Sequence, residues 1–544
     1  MIVGANYLLP VCIALTICMA LIPLLVRVAP RFGLMDRPDP RKVHTTPVPR
    51  VGGLAIVIGG LVAILIWLPL DRLTQSYLAG AAVLVAVGVW DDIKELGHYA
   101  KFAGQLIAVL IVVLYGDLYI TRLPFGWEAV PAGFGIPFTI FAMVGMINAI
   151  NHSDGLDGLA GGESMLSLVA IAYLAHLAGH AGAVIIALAM VGGVLGFLRF
   201  NTFPARIFMG DAGSQVLGLT LGILAVFLTQ KINPALSAAV PALLLGLPIS
   251  DILAVFYLRI RHGMNWFRAS KNHIHHRLLA RGFAHHESVV VIYSIQALLV
   301  VLAVVLRYES DGLILGLYVA IVCAVFLALT VAERRDWHAH RHRQTSVFFR
   351  AVSAVKDHRR FATWPLAGLR CIIPGFMVSI SATAGELPYD MGVVATVLFV
   401  VLLLDLSFGN RATSIIVRGI VYVSAVFTVY LGIAHTPELL REHEWWMTAF
   451  FGAIIVAIAV TVRFDDREIL KPTPLDYLIV CAVIGVVIVD TKGLLNGDFG
   501  VMAVQAIVLV YGCEVLLSTA RRRWTVLNIA SLISMGLVSA RGLM

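Results

Sequence analysis

Charge is what this sequence has least of. Only 13% of its 544 residues are Asp, Glu, Lys or Arg, against 60% hydrophobic ones, which is too little polar surface to cover a water-soluble globule of this size. A soluble enzyme or soluble binding domain is therefore excluded as a description of the whole chain. Cysteine is scarce as well. The six present, Cys12, Cys18, Cys323, Cys371, Cys481 and Cys513, lie in or beside apolar runs without metal-type spacing, so neither a disulfide scaffold nor a zinc site is expected. Barrel-like alternation is missing too. No basic stretch precedes the first apolar run, residues 7–28, and no small-residue cleavage site follows it, so this run is expected to be a retained span rather than a signal peptide. The net charge of +8 has no soluble basic domain to carry it. It sits in loops, which points to anionic headgroups and the positive-inside rule, not to nucleic acid.

What is present instead is a succession of apolar runs of roughly 17 to 25 residues, each able to cross a hydrocarbon core of about 30 Å as a helix. The expected fold is an all-α integral membrane protein, a polytopic helical bundle with about 11 spans in an N-terminal unit and about 7 in a C-terminal one. The first set falls near 5–27, 52–70, 75–90, 102–115, 136–150, 162–179, 182–199, 214–230, 237–258, 287–306 and 311–331, with boundaries good to a few residues. With the N-terminus outside, the connections 27–50, 91–101, 151–163, 199–211, 259–286 and 333–360 become cytoplasmic, and they hold nearly every basic cluster, as the charge rule requires. Three regions follow: a membrane unit at 1–333, a basic cytoplasmic linker at 334–362 suited to the membrane surface, and a second multispanning unit of unassigned role at 363–544. An Asp-Asp pair at 465–466, flanked by Arg463 and Arg467, reads as a solvated loop.

Five polar stretches gather on the cytoplasmic side. The segment FNTFPARIFMGDAGS, residues 200–214, holds one carboxylate, Asp211, at the mouth of an apolar run; an acid there faces water, a cation or a partner, so it is a metal ligand or a solvated loop residue. Adjacent Asp91 and Asp92, followed by Glu95 and Lys101, either bind a cation and hold one raised pKa suited to proton abstraction, or mark a helix end dipping into water. In NAINHSDGLDGLAGG, residues 148–162, Asn148, Asn151 and Asp154 recur every third position, stacking on one helical face, with glycines allowing close approach of a phosphate or metal. His273, His275, His276 and Arg277 lack a cysteine or spaced acid for zinc and suit a pyrophosphate. The proline-stiffened stretch 36–53 fits a polyanion or headgroups equally well. Phe208 is a base-stacking candidate or an interfacial aromatic.

Together, acids, amides, cations and glycines on one membrane face describe a site for a metal and a diphosphate. The ordered pieces RKVHTTPVPRVGG, DDIKELGHYAKFAGQ, NAINHSDGLDGLAGG, FNTFPARIFMGDAGS, Pro248-x-x-Asp251 and HIHHRL resemble the polyprenyl-phosphate N-acetylhexosamine-1-phosphate transferases over residues of about 30 to 290, in their GlcNAc-type branch. The resemblance implies transfer of a HexNAc-1-phosphate, GlcNAc-1-phosphate first, from a UDP-sugar to undecaprenyl phosphate. UMP is released, and lipid-linked envelope polysaccharide synthesis begins at the cytoplasmic face of a bacterial inner membrane. It implies Mg²⁺, with Mn²⁺ as substitute, held by Asp211 with Asn151. Asp91 and Asp92 would handle the lipid phosphate, one as candidate base, and Asp154 joins them as a catalytic candidate. Lys101 would bind phosphate; Asn148 is a substrate-binding candidate, and Asp157, Asn201 and Phe208 would frame the uridine. His273, His275, His276 and Arg277 would meet the donor's pyrophosphate or sugar. The bilayer is the expected surroundings and a homodimer a candidate assembly. An anionic-lipid transporter or flippase, or a scaffold for glycan assembly, is the alternative; a transporter would place its ionisable groups near the middle of its spans.

Overall fold

The computed structural model describes residues 3–38, 46–261, 263, 272–339, 360–385, 387, 389–408, 415–434, 444–464, 499–519 and 524–543. The chain divides by its internal packing into two units, one holding residues Met1–Arg341 and the other taking in His342–Pro472 and Val486–Met544. Almost all of the described residues in both are helical, and twelve of the described helices are long and apolar enough to span a membrane. The chain is a multi-pass membrane protein.

In the first unit the helices run α1 (Val3–Phe32), α2 (Gly52–Trp67), α3 (Arg72–Lys94), α4 (His98–Leu110), α5 (Ala132–Ser153), α6 (Leu159–Leu177), α7 (Ala181–Asn201) and α8 (Gly210–Phe227), then α9 (Val240–Leu244), α10 (Gly246–Arg261), α11 (Ile274–Ala280), α12 (His285–Val305) and α13 (Asp311–Arg334). Joined by short connections, except for residues 111–131 between α4 and α5, helices α3 to α8 alternate in direction. The C-terminal ends of α3, α5 and α7 therefore meet the N-terminal ends of α4, α6 and α8. The polar stretches 91–101, 148–162 and 200–214 sit at those ends, so hydrophobic pairing of the helices is itself what brings the acids together.

One expectation is corrected. The single span near 237–258 is a broken helix, α9 and α10, parted at Leu245. Pro248 has no N–H to give the carbonyl of Leu244 four residues earlier. That carbonyl instead accepts from Ser167 Oγ at 2.7 Å and Gln296 Nε2 at 2.9 Å, and the Gly246 carbonyl accepts from Tyr318 at 3.0 Å. Neighbouring helices α6, α12 and α13 thus satisfy what the proline frees, as an apolar medium demands.

A two-stranded ribbon, β1 (Met35–Asp36) with β2 (Val48–Pro49), pairs antiparallel, Met35 opposite Pro49 and Asp36 opposite Val48. It extends into the loop before α8: Phe208 N–H donates to the Pro49 carbonyl at 2.8 Å, and the N–H groups of Gly52 and Gly53 donate to the carbonyls of Phe208 and Met209 at 2.9 and 2.8 Å. The approach is close enough that a Cβ on Gly53 would lie 2.3 Å from the backbone nitrogen of Gly213. Small residues here let the start of α2 press directly on the start of α8.

The second unit contains α14 (Arg360–Thr383), α15 (Tyr389–Phe408), α16 (Ile415–Ala434), α17 (Glu444–Phe464), α18 (Phe499–Ser518) and α19 (Val526–Leu543). Its core is built from Leu369, Ile373, Met377, Leu402, Val421, Leu509, Cys513 and Met535. Within it Arg418 pairs with Glu514, which also accepts from the Tyr422 hydroxyl, and Thr396 bonds Ser539 at 2.6 Å. The remaining expected span, the Asp-Asp pair at 465–466 and most of the linker lie outside the described residues.

Gly53→Val should lower folded yield and thermal stability through a backbone clash, by roughly 1–3 kcal/mol or more, whereas Gly145→Ala, whose added methyl meets nothing within 4 Å, should be neutral or better. Fluorescence-detected size exclusion after a heating series reads both; equal behaviour would refute the close approach of α2 and α8.

Candidate active site at the helix ends

The centre is a lysine between two acids. Lys101 Nζ lies 2.6 Å from Asp91 Oδ2 and 2.9 Å from Asp211 Oδ2. Asp91 and Asp92 are both buried in the last turn of α3, and an unpaired carboxylate there would be costly. Each is accounted for. The other Asp91 oxygen accepts from Leu96 N–H at 2.6 Å. Asp92 accepts from the Asp211 N–H at 3.1 Å and has an Arg50 guanidinium nitrogen 3.7 Å away, Arg50 being paired also with Asp36. Asp92 therefore caps α8 from a different helix, supplying the acceptor that a helix start lacks. Gly210 makes this possible: its φ is +73°, and a Cβ there would stand 2.6 Å from Asp92 Oδ2, so backbone conformation and space both favour glycine.

Asp211 is held from its other side by Asn151, whose Nδ2 is 3.2 Å from Asp211 Oδ1 and 2.9 Å from Ser214 Oγ. Asn148 donates to Gln105 at 2.7 Å, and Gln105 reaches Gln215 at 3.4 Å, a row of amides beneath the acids. Asp154 lies half-buried just past the end of α5. Burial, and then the Asp211 and Asp157 carboxylates, push its pKa up to about 7, with Arg50 acting in the opposite sense.

Asp157 and Asn201 stitch two loops together. Asp157 Oδ2 accepts from Ala205 N–H at 2.9 Å. Asn201 is buried; its amide accepts from Gly158 N–H and donates to the Ile207 carbonyl, both at 2.8 Å. Asn201 is thus spent on shaping the loops. Phe208 fixes the ribbon by its backbone and keeps a half-buried ring.

A row of imidazoles forms the remaining wall. His273 Nδ1 is 2.7 Å from Asp251 Oδ2, and the other Asp251 oxygen accepts from Ile274 N–H at 2.8 Å. This carboxylate fixes the ring of His273 and starts α11. His275 stacks on His273 with centroids 5.6 Å apart, and His276 lies 4.2 Å from His275. His275, buried against Gly155 with histidines on three sides, has its pKa pushed well below the ordinary value by burial first and its neighbours next, so it is neutral at pH 7. Arg277 is turned to α13, bonding both Glu333 oxygens at 2.7 and 2.9 Å.

An oxygen-only set with an ammonium already bridging two carboxylates suits a hard cation. Among the described residues no cluster of three or more His, Cys, Asp or Glu is arranged as a metal ligand set.

Known proteins are similar to this chain in sequence. A family profile described as glycosyl transferase family 4 matches residues 74–229. A Bacillus subtilis (strain 168) protein named probable undecaprenyl-phosphate N-acetylglucosaminyl 1-phosphate transferase is 35% identical over 324 residues, covering 59% of this chain and 90% of the relative. The chain belongs to the polyprenyl-phosphate N-acetylhexosamine-1-phosphate transferase superfamily. Relatives named undecaprenyl-phosphate alpha-N-acetylglucosaminyl 1-phosphate transferase, from Escherichia coli O157:H7 and Yersinia pestis, are each 31% identical, over 330 and 325 residues, with 58% of this chain and 88% of each relative covered. The profile spans every acid and amide of the centre, Asp91 to Asp211, and stops before the histidine row of this superfamily member. Asp251 and Glu163 were not among the candidate site residues. Asp251 sits in the Pro-x-x-Asp signature, and Glu163, buried in α6, accepts from Ser153; a lone acid inside an apolar run was the signal for it.

An Asp that keeps its proton to about pH 7 when folded, against about 4 when unfolded, favours folding below that lower value and loses the contribution as pH rises through the higher one. Wild type should thus lose more thermal stability between about pH 5 and about pH 8 than Asp154→Asn; equal slopes would contradict the burial of Asp154. Asn201→Ala should destabilise by about 1–3 kcal/mol for each backbone group it strands, read as a lower melting midpoint in detergent, and an unchanged midpoint would return Asn201 to a purely substrate-facing role.

Proposed function

We propose that this chain transfers an N-acetylhexosamine-1-phosphate, GlcNAc-1-phosphate first, from its UDP-sugar to undecaprenyl phosphate, releasing UMP, at the cytoplasmic face of a bacterial inner membrane. The observation that carries the reading is Lys101 bridging Asp91 and Asp211 where three pairs of helix ends meet. The relatives' names add an undecaprenyl-phosphate acceptor and an N-acetylglucosaminyl 1-phosphate group.

In the proposed reaction an oxygen of the lipid phosphate attacks the β-phosphorus of the donor. The new P–O bond forms as the bond to the leaving UMP oxygen breaks. Asp211 would hold Mg²⁺ with Asn151 beside it and Asp91 across Lys101; Mg²⁺ supplies neutralisation of the diphosphate charge. The protein's own share is positioning and electrostatics, the usual source of rate in phosphoryl transfer. Lys101 turns its ammonium to a phosphate. Asp91 or Asp154 takes a proton from the acceptor phosphate where one remains. His273, oriented by Asp251, presents its Nε2 to the donor, and neutral His275 backs it. Asp157 and Phe208 sit on the loops that would frame the uracil. Asn201 supports those loops, and Arg277 anchors the histidine segment to α13.

Asp211→Asn should abolish Mg²⁺-dependent UMP release from UDP-GlcNAc and undecaprenyl phosphate, a loss of at least about 10²-fold, while the protein extracts and elutes as wild type. Near-normal turnover would overturn the assignment of Asp211.

A further inference from the structure

The histidine row has a fourth member supplied by another helix. His152 lies in the last turn of α5 between Asn151 and Ser153. Its ring stacks on His273 at a centroid distance of 5.6 Å and 26° between planes, and its side chain is exposed. The charged and titratable groups that face it come from three other elements: Asp211 of α8, Asp251 and Arg259 of α10, and His273 at the head of α11. His152 is thus an accessible imidazole standing among groups of the acid centre and of the histidine row. Neither ring nitrogen makes a hydrogen bond to a described residue, whereas Asn151 on one side and Ser153 on the other are both engaged.

A solvated histidine at a helix end would be free to turn. This one is not, because its face is laid on His273, whose own ring is fixed by Asp251 at 2.7 Å. The stack covers one face of the His152 ring and leaves its edge, with Asp211 and Arg259 among the neighbouring charges, facing the space beside it with donor and acceptor capacity unspent. Whatever occupies that space touches the phosphate-binding end and the histidine row at once. In a nucleotide-sugar only one portion does both: the second phosphate with the sugar attached to it.

We propose that His152 is a donor-contacting residue, its ring edge hydrogen-bonding the sugar-bearing phosphate or the sugar itself, and that the His152–His273 stack sets the placement of that half of the donor. This rests on the donor class given under the proposed function. The nucleotide half is held elsewhere, at the Asp157 and Phe208 loops, so the two halves are separable by experiment.

The test is calorimetric binding of UDP-GlcNAc and of UMP, with Mg²⁺, to the purified full-length chain. UMP lacks both the second phosphate and the sugar. His152→Ala should weaken UDP-GlcNAc roughly tenfold or more, the loss of one hydrogen bond to a charged group, and leave UMP within about twofold. His152→Phe keeps a ring on His273 and so guards against collapse of the row; it should show the same selective loss. Unchanged UDP-GlcNAc affinity in both variants overturns the proposal, as does an equal loss for UMP, which would mean general damage. A wild-type chain that binds no UDP-GlcNAc sinks the donor class and this residue's role together, whereas wild-type binding that His152→Ala leaves intact sinks the role alone.

Discussion

Carboxylates at the edge of a membrane core must be neutralised, and here one ammonium does most of that. Lys101 meets Asp91 at 2.6 Å and Asp211 at 2.9 Å, tying α3, α4 and α8 at a single point. Removing either partner type leaves buried charge without compensation, which costs far more than the pair itself is worth. The arrangement is thus a balance of charges held at a helix-end junction. Arg50, shared between Asp36 and Asp92, provides the second neutralising contact and links the N-terminal ribbon to the same point.

Close packing is what keeps that junction tight. Gly53 against Gly213, and Gly210 beneath Asp92, remove side-chain bulk where α2, α3 and α8 converge. Around it, polar groups freed by irregular backbone are satisfied by neighbours, as at Leu244, whose carbonyl is taken by Ser167 and Gln296 where Pro248 cannot donate. Membrane helices tolerate such breaks only with partners of this kind. The acids and amides of the centre lie together where the ends of α3, α5 and α7 meet the starts of α4, α6 and α8.

Much of this is legible in the sequence. Apolar runs give the helices of the first unit because hydrophobic length is a direct physical requirement of the bilayer, and short polar gaps then dictate which ends meet. The acids and amides stand out because charge in so apolar a chain is conspicuous. What sequence does not reveal is how each polar group spends its bonds. Asn201 and Arg277 have the same chemistry as ligand-binding residues, yet the first closes loops on Gly158 and Ile207 and the second grips Glu333. Nor does spacing show that residues 237–258 break at Leu245, or that His152 joins a row supplied by residues more than a hundred positions later; such pairings depend on helix packing, which a linear pattern does not encode.

The central claim is that Asp211 is a cation ligand at a junction that Lys101 otherwise closes. Titration of Mn²⁺ into the purified chain, followed by electron paramagnetic resonance, tests this without any turnover. The account predicts one site per chain that Mg²⁺ displaces, lost in Asp211→Ala and tighter in Lys101→Met. A site that persists unchanged in Asp211→Ala, or no site at all in the wild-type chain, would contradict it.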